Sequence, residues 1–303
     1  MTPKFMYSKL MFKGSIVALV TPFTERGEID FTAVDRLVDF HLENGSDGLV
    51  IAGTTGESAT LDRSEFSSLL SHAIARVNGR IPVIAGTGSA STRAAIEQTV
   101  VAADLGADGA LVVTPYYNKP PQAGLQAHFS AIADKSDIPV ILYNVPSRTS
   151  VDLLPETVER LSSHERIVGI KEAMPDVDRI AEHCRRCGPG FSVLSGDDRS
   201  CLGAMRHGAQ GVISVAANVA PQGMHELCAA ALLSDWDRAQ QANLKLEPLF
   251  DLLMIETNPI PVKWALFEMG LVGSMIRLPL TRLDEKFLEP VRQCLVQLEM
   301  VKT

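Results

Sequence analysis

The sequence predicts an α/β protein, a closed (β/α)₈ TIM barrel with a C-terminal helical extension. From Ser15 onward, short apolar runs alternate with amphipathic stretches of helical length, the rhythm of parallel βαβ units. Eight such runs follow one another, which suits a closed barrel better than a doubly wound sheet, where strands are usually fewer. Beyond Pro221 the strand signal stops and only helical patterns remain.

The predicted strands are Ile16–Val20, Gly48–Ala52, Pro82–Ala85, Gly109–Val113, Pro139–Tyr143, Ile167–Lys171, Ser192–Leu194 and Gly211–Val215. Each is too short for a helix and apolar along its length, as a strand buried on both faces must be. Between them Arg63–Val77, Thr92–Leu105 and Asp176–Arg186 carry Ala, Leu and charged residues at helical spacing. Gly106-Ala107-Asp108-Gly109 and Gly208-Ala209-Gln210-Gly211 resemble each other, each reading as a helix-ending glycine that leads into the next strand. Pro221–Leu233 is the eighth barrel helix. Trp236–Leu253, Pro259–Glu268 and Leu283–Val301 form the extension, with Asn258-Pro259-Ile260-Pro261 marking a helix start. The barrel therefore spans residues 1–233 and the extension 234–303.

The formal net charge of -8 argues against a nucleic-acid or anionic-membrane partner, which needs a basic face. An anionic ligand must instead meet local positive charge. No apolar run is long enough to span a bilayer, and Lys4, Ser8, Lys9 and Lys13 interrupt the N-terminal segment where a signal peptide would be apolar. A cytoplasmic location is expected. The 5 cysteines are odd in number and widely spread, so reduced thiols are expected. Cys184-Arg185-Arg186-Cys187 has redox or zinc spacing, but no second CxxC or histidine pair follows at finger distance, and helix-end packing explains it better than a metal. Neither a metal nor a cofactor is expected.

Barrel enzymes carry their chemistry at the C-terminal ends of strands, and here those ends are polar. Ile167-Val168-Gly169-Ile170-Lys171-Glu172 is an apolar run ending in an amine. A lone strand-end lysine is ordinarily a solvated stem, but the other ends converge with it. They are Gly53-Thr54-Thr55-Gly56-Glu57-Ser58, Gly86-Thr87-Gly88, Thr114-Pro115-Tyr116-Tyr117, Tyr143-Asn144-Val145-Pro146-Ser147-Arg148 and Ser195-Gly196-Asp197. The Gly53–Gly56 segment is either a tight turn or an anion cradle of N–H and hydroxyl donors. The sequence has no GxxxxGK[ST] and no complete GxGxxG, so a small carboxylate fits the cradle better than a pyrophosphate. Tyr143 is a core aromatic or a working phenol, and Arg148 a surface cation or a guanidinium at the barrel mouth. Burial disfavours the charged form of lysine, whose pKa starts at about 10.4 in water, and a neutral amine can attack a ketone to form a Schiff base. No G-x-S-x-G elbow or HExxH helix offers another nucleophile or metal site, and the 7 histidines lie mostly in helical stretches.

At these residues the sequence resembles the pyruvate-dependent class I aldolase family of dihydrodipicolinate synthase and N-acetylneuraminate lyase. Gly53-Thr54-Thr55-Gly56-Glu57 and Gly169-Ile170-Lys171-Glu172 carry the resemblance, with Thr114-Pro115-Tyr116-Tyr117, Tyr143 to Thr149 and Gly211 to Val215 extending it over nearly the whole chain. Ser147-Arg148-Thr149 narrows it to the synthase branch, since lyase-type members do not usually carry that arginine. The resemblance implies that Lys171 forms the Schiff base with pyruvate, whose carboxylate Thr54 and Thr55 hold near the Ile213 backbone, with Gly196 also at the substrate. The enamine then attacks aspartate 4-semialdehyde. Tyr143, Thr54 and Tyr117 would relay protons, Tyr117 coming from a neighbouring subunit, and Arg148 would grip the semialdehyde carboxylate. A shared tyrosine implies at least a dimer, and the family's usual state is a homotetramer.

Some positions depart from the family pattern. Ser150 stands where glycine is common, Met174-Pro175 replaces Thr-Gly, and about ten N-terminal residues precede the usual start. In lysine-inhibited members, two histidines, an asparagine and a glutamate stand where this chain has Arg63, Phe66, Ala90 and Ala94, although Ser58, Ala59 and Tyr116 match. Weak or absent lysine inhibition is expected. Two other readings remain open from sequence: a related pyruvate aldolase, lyase or dehydratase, and a non-catalytic carboxylate-binding paralogue.

Overall fold

The structure is a computed structural model that describes residues 12–301; the extra N-terminal residues fall almost wholly outside them. The strands are β1 (Gly14–Ala18), β2 (Gly48–Ile51), β3 (Val83–Gly86), β4 (Gly109–Val113), β5 (Val140–Asn144), β6 (Ile167–Glu172), β7 (Ser192–Ser195) and β8 (Gly211–Ser214). They pair in chain order as a closed barrel, with β1 joined in parallel to β8. The helices are α1 (Phe31–Glu43), α2 (Arg63–Val77), α3 (Thr92–Asp104), α4 (Gln122–Lys135), α5 (Pro146–Thr149) and α6 (Pro155–Ser162). They continue as α7 (Val177–Cys187), α8 (Cys201–Arg206), α9 (Pro221–Leu232), α10 (Trp236–Leu252), α11 (Ile260–Glu268) and α12 (Leu288–Gln297).

Every predicted strand is present, with ends displaced by at most two residues. The largest shift is in β1, which begins at Gly14 because Gly14 and Ser15 pair with Gly211 and Val212. That pairing closes the barrel and leaves no trace in hydrophobic periodicity. The predicted helix Leu283–Val301 is shorter, a 3-10 turn at Glu285–Phe287 preceding α12.

The continuous apolar strands reflect two cores. Ile16, Val50, Ile84, Leu111, Ile141, Leu194 and Ile213 point into the barrel, while Val17, Leu49, Ile51, Val112, Leu142, Ile170 and Val193 belong to the outer core shared with the helices. Alternate residues thus enter different apolar environments, so no polar position interrupts the strand. At β6 the inner phase falls on Gly169 and Lys171, the latter beside Tyr143 on β5 and Leu194 on β7. A Cβ at Gly169 would lie 2.5 Å from the Ser192 carbonyl oxygen, so only glycine fits there.

The extension is tied to the barrel through a motif residue. Lys263 on α11 and Glu57 in the turn after β2 are 4% and 4% exposed and form an ion pair. Arg277 donates its backbone N–H to Glu57 Oε2 (3.1 Å) and its guanidinium to the Thr60 and Gly27 carbonyls and to Glu65. Both cations lie over the Phe23 ring, with centroid distances of 4.4 and 4.2 Å.

Two buried histidines set the stability of this fold in mild acid. His41 on α1 has Nδ1 2.9 Å from Ser46 Oγ, His128 on α4 has Nδ1 2.9 Å from Thr92 Oγ1, and both Nε2 atoms are buried without a partner. Burial lowers His41 to about 3 and His128 to about 4 from 6.5. The folded chain therefore keeps both rings neutral down to those values, while the unfolded chain protonates them below pH 6.5. Stability is unaffected above that pH and falls as pH drops below it, by up to about 1.4 kcal/mol per pH unit for each ring. Urea unfolding near pH 7 and near pH 5 checks this, and an unchanged free energy would contradict it.

Candidate active site

The barrel mouth encloses about 890 Å³ of empty space, partly open to solvent, and Lys171 lies in its wall. Lys171 is 5% exposed, and its Nζ sits 4.6 Å from the centroid of the Tyr143 ring. Among the described residues only Lys171 and Lys263 are buried lysines. Lys263 is paired with Glu57, whereas the Lys171 amine makes no ion pair or hydrogen bond to a described residue. Space for its stem comes from Gly196, where a Cβ would lie 2.9 Å from Lys171 Cε.

Gly53, Thr54 and Thr55 form the opposite wall. The turn closes through Glu57 N–H to the Thr54 carbonyl (3.1 Å) and Ser58 N–H to the Gly53 carbonyl (3.3 Å). The segment is therefore a tight turn, and its Gly53, Thr54 and Thr55 line the cavity, where backbone and hydroxyl donors suit an anion. Thr55 is 2% exposed, and its Oγ1 accepts from Asn258 Nδ2 at 2.9 Å. A hydroxyl that accepts there keeps its own proton for a ligand.

Arg148 lies on α5, a single turn after Val145, and also lines the cavity. Its Nη2 donates to the Asn258 carbonyl at 3.1 Å, so its charge remains without a carboxylate partner among the described residues. Thr149 holds the turn in place through bonds to the Val145 and Val151 carbonyls. Ser150 then takes a left-handed conformation, φ 57°, which explains why glycine suits that position.

Neither Tyr117 nor the Ile213 side chain lines the cavity of the single chain. Tyr117 is 94% exposed at φ 74° and does not line the cavity; Ile213 is fully buried in the inner core, and Val215 reaches the cavity wall instead. Sequence reasoning missed Asn258 and Asp198. Asn258 was legible only as helix-start punctuation, yet it touches both Thr55 and Arg148 from the extension. Asp198 accepts at Oδ2 from the Val215 and Ala216 N–H groups (3.0 and 2.8 Å), its Oδ1 is buried without a partner, and burial pushes its carboxyl up.

The remaining motifs divide similarly. Cys184 and Cys187 are half-buried near the end of α7, and burial, with the neighbouring thiol, pushes Cys184 up to about 11. Among the described residues no group of His, Cys, Asp or Glu side chains is arranged to hold a metal ion. Among them, too, no helix is long and apolar enough to cross a membrane. Ser58, Arg63, Phe66 and Ala94 line a separate cleft of about 550 Å³, where Arg63 bonds Glu97 at 2.7 Å.

A closed parallel barrel whose mouth holds a buried lysine without an ion-pair partner among the described residues, flanked by a phenol, two threonines and a guanidinium without a carboxylate partner among them, fits a barrel enzyme of the imine-forming type. The chain belongs to the dihydrodipicolinate synthetase family, whose model matches residues 11–298. It is 54% identical over 287 residues to a 4-hydroxy-tetrahydrodipicolinate synthase of Pseudomonas aeruginosa, covering 95% of this chain and 98% of that one. The fold matches that of a chloride-inhibited dihydrodipicolinate synthase from Acinetobacter baumannii complexed with pyruvate, with TM-score 0.94 and 49% identity over 95% of this chain and 99% of that one. It also matches a dihydrodipicolinate synthase variant described as monomeric, with TM-score 0.94 and 43% identity over 96% and 98% of the two chains.

Proposed function

We propose that the chain is a 4-hydroxy-tetrahydrodipicolinate synthase, condensing pyruvate with L-aspartate 4-semialdehyde on Lys171 in the diaminopimelate route to lysine. The single observation that carries the site assignment is the contrast between two buried lysines, one neutralised by Glu57 and one left unpaired beside Tyr143. The Lys171 amine adds to the pyruvate ketone, and loss of water gives the imine. A methyl proton leaves to give the enamine, whose carbon attacks the semialdehyde aldehyde. The semialdehyde's own amine then displaces Lys171 and closes the ring. No cofactor is needed, because the protonated imine itself accepts the electron pair.

Thr54 and Thr55 hold the pyruvate carboxylate, with the β8 turn after Ile213 and the backbone at Gly196 completing its surroundings. Arg148 receives the carboxylate of the second substrate by a charge-assisted contact. Tyr143 and Thr54 pass protons, and the exposed Tyr117 completes the relay in a neighbouring copy, which requires at least a dimer; the homotetramer usual in the family, a dimer of dimers, is the assembly we propose. The five free thiols suit the cytoplasm.

The direct test is the initial rate of pyruvate consumption with aspartate 4-semialdehyde, compared with N-acetylmannosamine. A rate selective for the semialdehyde is expected; equal rates, or none despite borohydride trapping, would point to another aldehyde. Arg148→Ala should lower semialdehyde turnover on the order of 100-fold while pyruvate trapping persists, because a charge-assisted contact contributes about 1.5–3 kcal/mol. Full turnover in that variant would remove Arg148 from the site. Lysine should inhibit weakly or not at all, since Ala94 stands where lysine-inhibited members carry a glutamate and the Glu97 carboxylate in the same cleft is paired with Arg63. A dose-response curve showing inhibition at micromolar lysine would sink that expectation.

A further inference from the structure

Two motif residues stand next to the reacting pair without entering the cavity. Strand pairing sets Tyr143 opposite Lys171 and Asn144 opposite Glu172. Successive residues of a strand face opposite sides, so the second pair lies directly behind the first. Asn144 and Glu172 are both 0% exposed.

Glu172 is a buried carboxylate with an unusually complete set of donors. Asn144 Nδ2 lies 3.1 and 3.0 Å from its two oxygens, the Met174 N–H donates at 3.0 Å, Arg179 Nε at 2.9 Å, and His183 Nε2 sits 3.3 Å away. Arg179 continues to Asp152 through both terminal nitrogens (3.1 and 2.6 Å) and to the Leu153 carbonyl (2.7 Å). Asn144 also donates to Asp152 at 2.9 Å, and its side-chain oxygen accepts the Leu153 N–H. The backbone is pinned on both sides, with Ala173 N–H donating to the Asn144 carbonyl (3.0 Å) and Gly196 N–H to the Glu172 carbonyl (2.6 Å). The Lys171 side chain therefore leaves a peptide segment that cannot rotate without breaking several bonds.

We propose that Glu172 is a positioning residue, anchored by Asn144, Arg179 and His183 on the outer side of β5 and β6 so that Lys171 and Tyr143 face each other in reactive register. A buried carboxylate held by two strands and a helix resists the small shear that would separate an amine from its phenol. Displacing reacting groups by about 1 Å costs on the order of 100-fold in rate. This inference rests on the imine reading of Lys171 and adds the group that aims it.

The test uses the full chain and pyruvate alone. Borohydride trapping measures the fraction of sites that form the imine, and exchange of pyruvate methyl protons in deuterated water measures the proton step that follows. In Glu172→Gln, trapping at saturating pyruvate should stay complete while exchange per trapped site falls about 10- to 100-fold. Asp152→Asn reaches Glu172 only through Arg179 and Asn144, and should lower the same ratio by a smaller factor. A merely structural role would lower the melting temperature and leave the ratio unchanged; an unchanged ratio in the variants that fold overturns the proposal. Failure of both variants to fold also overturns it, because the network would then be a requirement of folding. If the wild-type chain traps no pyruvate, the imine reading falls and this inference with it. Trapping and exchange at wild-type levels throughout would overturn the inference alone.

Discussion

Replacing Lys171 with alanine is expected to abolish borohydride-dependent incorporation of pyruvate and to lower condensation at least on the order of 10⁴-fold, since among the described residues no other lysine lines the cavity. Lys171→Arg should fail equally, because a guanidinium keeps its charge and is no nucleophile. Stability should move the other way. Lys171 is 5% exposed and its amine has no hydrogen bond or ion pair among the described residues, so removing it relieves a largely desolvated polar group. The alanine variant should melt at or above the wild-type temperature. Incorporation that survives the substitution would move the imine to another amine, with Lys263 the first to examine.

Glu57→Gln and Lys263→Met are each expected to destabilise the chain by about 3–5 kcal/mol, because each leaves its partner charged and buried. Desolvation lowers the Lys263 pKa and the Glu57 carboxylate opposes that shift, so losing Glu57 leaves burial unopposed. The double variant should cost less than the sum of the two, and the difference measures the coupling. Denaturant unfolding reads all three. A loss under about 1 kcal/mol in either single variant would show that the extension is held by its apolar packing instead. Glu57 also fixes the turn carrying Thr54 and Thr55, so both single variants should weaken pyruvate binding.

The strand-ending lysine, the hydroxyl-bearing turn after β2 and the arginine after β5 were legible because barrel chemistry is confined to one end of each strand. Local order along the chain carries that information. Eight apolar runs and the glycines between them likewise specified the barrel, since both faces of each strand had to be apolar. The two glycines read as helix endings, Gly106 and Gly208, do take left-handed conformations at φ 90° and 104°.

Tertiary structure alone decided what depends on distant pairing. Glu57 reads in sequence as part of a motif, and only the approach of α11 gives it Lys263, 206 positions away. Asn258 joins Thr55 to Arg148 across separations of 203 and 110 positions, which no local pattern encodes. The same holds for Glu172: the sequence places it after the lysine, but strand register decides that it stands behind Tyr143 and Lys171, within reach of Asn144 and Arg179. Periodicity specifies which way a side chain faces, whereas a partner is set by closure of the barrel and docking of the extension, contacts whose energy appears only once the chain is folded.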